Sequence, residues 1–241
     1  MTEAEWQVWD SPYMMLDHLA RLPPEDVEDD DPTVWPPARQ ARLFAVACCR
    51  HVERLLIDAR SRAALDAVER YVDGRLTKKR LEQAARDAGQ VTWELDGPPD
   101  GRYQATSAAC SAAADISDHF TDAEEVARET ASAAGAAARF SDESENAHQR
   151  AEEAEDAYQA DLIRDIFGNP FRPMVLNPAW RTSDALALAR GIYDEGAFDR
   201  LPILADALQD AGCDSDDILN HCRGPGPHVR GCWVVDLVLG K

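Results

Sequence analysis

Leu43-Phe44-Ala45-Val46-Ala47-Cys48-Cys49-Arg50-His51-Val52-Glu53-Arg54-Leu55-Leu56 is the stretch whose reading decides the fold. Leu43, Phe44, Ala47, Cys48, Val52, Leu55 and Leu56 recur at helical spacing with arginines opposite, which predicts an amphipathic helix from Pro36 to about Leu56. Cys48 shares that apolar stripe and reads as a small buried hydrophobe, and Cys49 points about 100° away from it, so the two cannot readily pair.

The same period continues downstream. A second helix from about Arg60 carries Ala64, Leu65, Val68 and Val72 inward and stops at Asp73-Gly74; a third begins at Thr77 with Leu81, Ala84, Ala85 and Ala88. After the loop Leu95 to Gly101 an Ala-rich stretch runs to Ala138, divided in two by the capping pattern Thr121-Asp122-Ala123-Glu124. Alanine favours the helix and leaves little bulk between neighbours, which predicts closely packed antiparallel helices. A further helix is predicted from about Ser144 to Phe167, ended by Gly168-Asn169-Pro170.

Upstream, Thr2-x-x-Glu5 is a capping box and Ser11-Pro12 opens a short helix that ends at Pro23-Pro24. Glu25 to Asp31 holds six acids in seven residues and reads as an extended, self-repelling loop. Downstream, Asn169-Pro170-Phe171-Arg172-Pro173 and Asn177-Pro178-Ala179-Trp180 form a proline-punctuated strap, with Phe171 and Trp180 as its anchors. Helices follow at about Ser183 to Asp194, Arg200 to Ala211, Ser215 to Cys222 and Val229 to Leu239. No segment alternates with period two over useful length. The expectation is an all-α chain: an N-terminal helix and acidic loop over 1–35, an Ala-rich antiparallel helical bundle over 36–168, and a strap with a smaller C-terminal helical unit over 169–241.

The chain has 241 residues and a formal charge of −20, with 45% hydrophobic but only 7% aromatic residues. Such a charge disfavours nucleic acid and anionic membrane as partners and favours a basic protein partner. No apolar run is long enough to span a bilayer, and Met1 to Glu5 lacks the basic start of a signal peptide, so a cytoplasmic protein is expected. The six cysteines are then expected as free thiols rather than a disulfide framework. Trp35 to Arg86 runs against the overall balance, with twelve Lys and Arg against six acids. That stretch reads either as a basic face for phosphate or as cations paired with the later acidic helices; the surrounding field and the lack of interleaved aromatics favour pairing.

The tail concentrates the chemistry. Cys213, Cys222, His228 and Cys232 are separated by eight, five and three residues, a spacing similar to small three-Cys-one-His zinc sites, although there the histidine comes last. The competing reading buries all three cysteines in a core made by Leu201, Ile203, Leu204, Leu208, Ile218, Leu219, Trp233, Val234, Leu237 and Val238. A thiol nucleophile is the third reading: His228 and Cys232 at i, i+4 could meet, whereas His221 points away from Cys222. Gly224-Pro225-Gly226-Pro227 leads into a loop in which Arg223, His228 and Arg230 could offer donors to an anion, or is simply a tight corner between packed helices. Phosphate-binding glycine loops, nucleophile elbows and His-Glu-x-x-His are all missing, so no catalytic residue or cofactor is assigned.

Leu43 to Val52, Arg60 to Ala64 with Ala67 to Gly74, Ile163 to Pro173, and the tail from Leu201 to Lys241 resemble an uncharacterised, multi-copy family of planctomycete proteins, a resemblance that implies no activity. More weakly, Cys49-Arg50-His51-Val52, the later Ala-x-x-Ala helices and Tyr71-x-x-Gly74 are similar to helical immunity proteins of bacterial toxin systems. That similarity implies binding and blocking of a toxin and stops near residue 140. The expected function is therefore non-enzymatic binding of a basic macromolecule, immunity-like in its most concrete form, with a zinc-binding C-terminal module and a thiol-dependent enzyme as alternatives.

Overall fold

The computed structural model describes residues 1–22, 38–96, 100–114, 119–142, 144 and 146–241. Among these the protein is all-α, with no strand. The acidic loop expected over Glu25 to Pro32 lies outside the described residues. The chain divides into two compact units, Met1–Ala160 and Asp161–Lys241.

Unit 1 contains α1 (Glu3–Val8), α2 (Pro12–Ala20), α3 (Ala38–His51), α4 (Ala59–Val72), α5 (Lys78–Glu94), α6 (Arg102–Ala113), α7 (His119–Ser141) and the first part of α8 (Ala147–Phe167). The capping box forms as read: Glu5 N–H donates to Thr2 Oγ1 and Thr2 N–H returns the bond to Glu5 Oε2 at 2.7 Å. Ser11 does precede α2 with Pro12 in the first turn, but its hydroxyl makes no cap bond. The Thr121 position corrects the expected division: α7 already runs from His119, so the break falls before it and Thr121 lies within the helix.

Small side chains organise this unit. In α6, Ala105, Ala108, Ala109, Ala112 and Ala113 are all buried, and the helix packs against α3, α4, α5 and α7. Buried faces on several sides of one helix require side chains that let backbones come close, which is what alanine supplies. Gly101 begins α6 with φ +88°, in the left-handed region, directly against the backbone of Ala133 in α7. Bulk comes from α3, where Leu43, Phe44 and Cys48 are buried, and from Leu65 and Val68 of α4.

Part of the basic stretch is paired, and with nearer partners than the later helices. Arg50 donates to Glu53, Asp66 and Glu69, and Arg60 to Asp58 and Glu94. The buried Arg42 donates to the Ala114 carbonyl at 3.2 Å and lies over the Tyr71 ring. His51 does reach a later helix: its Nδ1 is 2.7 Å from Glu155 Oε2, and its ring stacks on Tyr158. Close by, the buried Gln159 donates from Nε2 to Thr130 Oγ1 and the Ala127 carbonyl. The Gln159 bonds fix the register of α8 on α7, because leaving them unmade inside the core costs more than making them gains, and the His51 contact ties α8 to α3.

Glu129 is the exception on α7. Burial raises its pKa above the ordinary carboxylate value, more than the Ser107 hydrogen bond at 2.5 Å lowers it. A carboxyl that binds its proton more tightly when folded stabilises the fold at low pH; that contribution is lost as pH rises through the raised folded pKa. Glu129→Gln is therefore expected to raise the melting temperature near pH 7.5 by about 1–2 °C, a figure kept small because the group is partly solvated, and to leave it unchanged near pH 3.5. Thermal scans of both proteins at the two pH values check this; equal effects at both would remove the assignment.

Unit 2 contains the end of α8, then α9 (Ser183–Glu195), α10 (Leu201–Asp210), α11 (Asp216–Arg223) and α12 (Trp233–Leu239). Its core is Ala189, Ile192, Tyr193, Leu204, Leu208, Ile218, Cys222, Val235 and Val238 with their neighbours, and Trp233 and Leu237 pack against it partly buried. Ile203, expected in this core, is exposed instead, because the buried stripe of α10 runs through Leu201, Leu204, Ala205 and Leu208 and passes it by. The strap is held to this core by buried Leu176 and partly buried Met174 and Trp180, while Phe171 is only half-buried. The division between units falls inside α8 rather than at Gly168 to Pro170, because Asp165 bonds into the C-terminal loop. The last helix also starts later than Val229: Cys232 N–H closes a turn on the Val229 carbonyl, Gly231 has φ +100°, and α12 begins only at Trp233.

Candidate functional site

Asp165 is the centre of a concentrated group of reactive side chains among the described residues. It lies near the end of α8 with its side chain 2% exposed. Leu162, Asp165 and Ile166 fall at i, i+3, i+4, so the carboxylate occupies a position on the apolar stripe where another hydrophobe would be expected. His221 sits the same way on α11, between the buried Ile218 and Cys222 at i−3 and i+1. His228 and Cys232 come from the segment between α11 and α12.

The four groups converge. Asp165 Oδ1 is 2.7 Å from His228 Nδ1 and 3.1 Å from His221 Nε2, while Oδ2 accepts from the Val229 N–H at 2.9 Å. His221 Nε2 is also 3.2 Å from Cys232 Sγ. The second nitrogen of His228, Nε2, lies 3.4 Å from the Gly224 carbonyl. One ligand atom from each of Asp165, His221, His228 and Cys232 lies within 4.8 Å of the other three. The two rings meet edge to face at 4.8 Å, and Trp233 covers His221 at 5.1 Å between centroids.

Electrostatics follow from burial and pairing. Burial works against a charged Asp165, but hydrogen bonds from His221 and His228 outweigh it and hold its pKa below the ordinary value. Burial likewise opposes a charged His228, and the adjacent carboxylate overcomes it and raises the pKa. Burial and the Asp165 charge push the Cys232 thiol well up and the Cys222 thiol up to about 12. A buried thiol held in its protonated form beside a carboxylate is a poor nucleophile, which speaks against the thiol-enzyme reading.

Of the four residues singled out by spacing, the structure brings together His228 and Cys232 and leaves Cys213 and Cys222 in the apolar core. None of the six cysteines is disulfide-bonded. His228 and Cys232 do not meet as helical neighbours, since neither lies inside α12. Instead His221, which points away from Cys222, reaches Cys232 across the unit. The anion-loop reading does not assemble: Arg223 donates to Asp206 and Gln209 on α10, Arg230 lies over the Tyr193 ring at 4.4 Å, and His228 turns to Asp165. Asp165 and His221 are the residues the spacing argument missed. The available signal was an ionisable side chain on an otherwise apolar stripe, at both positions.

No helix among the described residues is long and apolar enough to cross a membrane. Comparison with protein-family models, with curated proteins and with solved structures returns no match, so the reading of this site rests on its own geometry.

Proposed function

We propose that the protein is a non-catalytic binding protein whose partner is a basic macromolecule, a protein rather than a nucleic acid. The observation that carries this reading is the charge of −20 together with the local pairing of Arg50 and Arg60 by acids of their own region. Cations that are already neutralised by neighbours do not offset acids elsewhere, and Glu125 and Glu153 in unit 1 and Asp199, Asp210, Asp214 and Asp217 in unit 2 are all exposed. A predominantly acidic surface steers an oppositely charged partner into encounter and repels polyanions. Blocking of a basic toxin, as in immunity proteins, is the most concrete form of the proposal.

The test is capture on the immobilised full chain from its native cells, identification of the retained protein, and association kinetics of the purified pair. The expected partner is basic, with an association rate falling by at least about tenfold between roughly 50 and 500 mM salt. A neutral or acidic partner, a rate insensitive to salt, or no partner across that range overturns the proposal.

A further inference from the structure

We infer that the C-terminal unit holds one zinc-class transition-metal ion, ligated by Asp165, His221, His228 and Cys232. This site is independent of the surface charge on which the binding proposal rests.

The donor set comes first. One carboxylate oxygen, two imidazole nitrogens and one sulfur form a borderline-soft set that matches zinc or cobalt(II), whereas magnesium and calcium require oxygens. At zinc-ligand distances of about 2.0–2.3 Å, tetrahedral ligand atoms stand roughly 3.3–3.8 Å apart. The separations here, from 2.7 Å for Asp165 to His228 up to a limit of 4.8 Å, straddle that edge length, so changes in separation of about 1–1.5 Å at most complete a tetrahedron.

The surroundings match as well. Metal-bound histidine typically gives its other ring N–H to a backbone carbonyl, and a ligating carboxylate is itself hydrogen-bonded. His228 meets the first condition, with Nε2 beside the Gly224 carbonyl and Nδ1 turned into the cluster. Asp165 meets the second, because Val229 N–H holds Oδ2 and leaves Oδ1 facing the histidines. His221 Nε2 faces both Asp165 Oδ1 and Cys232 Sγ, and a single N–H cannot serve two such partners well. A cation placed between them uses all three lone pairs at once. Cys232 ligates as the thiolate, its proton passing to solvent.

Four protein ligands close the coordination sphere and leave no position for substrate, so the ion is structural. It ties the end of α8, α11 and the segment leading into α12 to one another. Purely internal hydrogen bonding is the competing account, and the two differ in what a metal does.

The experiment is titration of the full chain, freed of metal by chelation, with cobalt(II). Expected are binding of one cobalt per chain, intense visible bands of tetrahedral cobalt, and a thiolate-to-cobalt charge-transfer band in the near ultraviolet. Cys232→Ser should abolish the charge-transfer band and weaken binding by at least about 100-fold, while Cys213→Ser and Cys222→Ser keep both. His228→Gln provides a second ligand variant that leaves all thiols in place, and circular dichroism verifies that each variant folds. The inference is overturned if the wild-type chain takes up no stoichiometric cobalt, if the spectrum is that of six-coordinate cobalt, or if the band survives loss of Cys232 and disappears with Cys213.

Discussion

Asp165→Ala is expected to destabilise the C-terminal unit by about 3–5 kcal/mol, measured in chelator so that any metal contribution is set aside. The side chain is 2% exposed and serves His221, His228 and the Val229 N–H together. Its removal leaves two imidazoles and a backbone donor in a space that water does not readily reach, and the cost of unmade polar groups exceeds what the intact network contributes. For a unit of this size, the loss corresponds to a fall in melting temperature on the order of 15–30 °C. Asp165→Asn keeps the shape and the Val229 bond and should lose less than Ala, because one amide oxygen can still accept. Thermal unfolding followed through Trp180 and Trp233, which both pack on this core, reports the unit once the other four tryptophans of the chain are replaced by Phe in both proteins compared. A loss below about 1 kcal/mol for the alanine variant would show that the network is decorative.

Gly101→Ala is expected to cost unit 1 about 2–4 kcal/mol. A Cβ there would stand 2.2 Å from the carbonyl oxygen of Ala133 and 3.0 Å from its carbon, and it would sit on a residue with φ +88°. The obstacle is backbone of α7, which cannot swing aside as a side chain would; α6 and α7 must separate along their shared face. Gly74 provides the control. It has φ +68° but nothing within 4 Å of an added Cβ, so Gly74→Ala should show the conformational term alone, about 1 kcal/mol. Chemical denaturation of the two variants gives the comparison, and similar losses at both sites would rule out the close approach of α6 and α7.

Periodicity made most of this fold legible. Where an apolar stripe was unbroken, as in α4, α9 and α10, the expected and observed helices agree to within a few residues at both ends; the helix expected to reach Leu56 ends at His51 instead, and a tighter 3-10 turn, Glu53–Leu55, carries the stripe on. The end of α8 and the start of α12 were harder. Val229 is apolar and precedes Val234, Val235 and Val238, which invites a helix to be read back through Gly231; the positive φ at Gly231 stops it. At the candidate site, linear spacing among cysteines and histidines identified two of the four groups. Asp165 lies far upstream in an acid-rich chain, and nothing in its immediate neighbours distinguishes it from many other carboxylates until the buried stripe is drawn around it. His221 was weighed only against Cys222, the neighbour it turns from. Local geometry was sound there, and the long-range partner was invisible to it.

The crowding of α6 has a consequence for how unit 1 comes together. A helix whose inward side chains are mostly methyl groups gains little from touching any one neighbour, since each alanine removes only a small apolar area from water. Its order depends on α3, α4, α5 and α7 being in place together. Unit 1 therefore has no viable half: a subset of its rods lacks the enclosure that keeps the central one helical, and assembly is all or nothing.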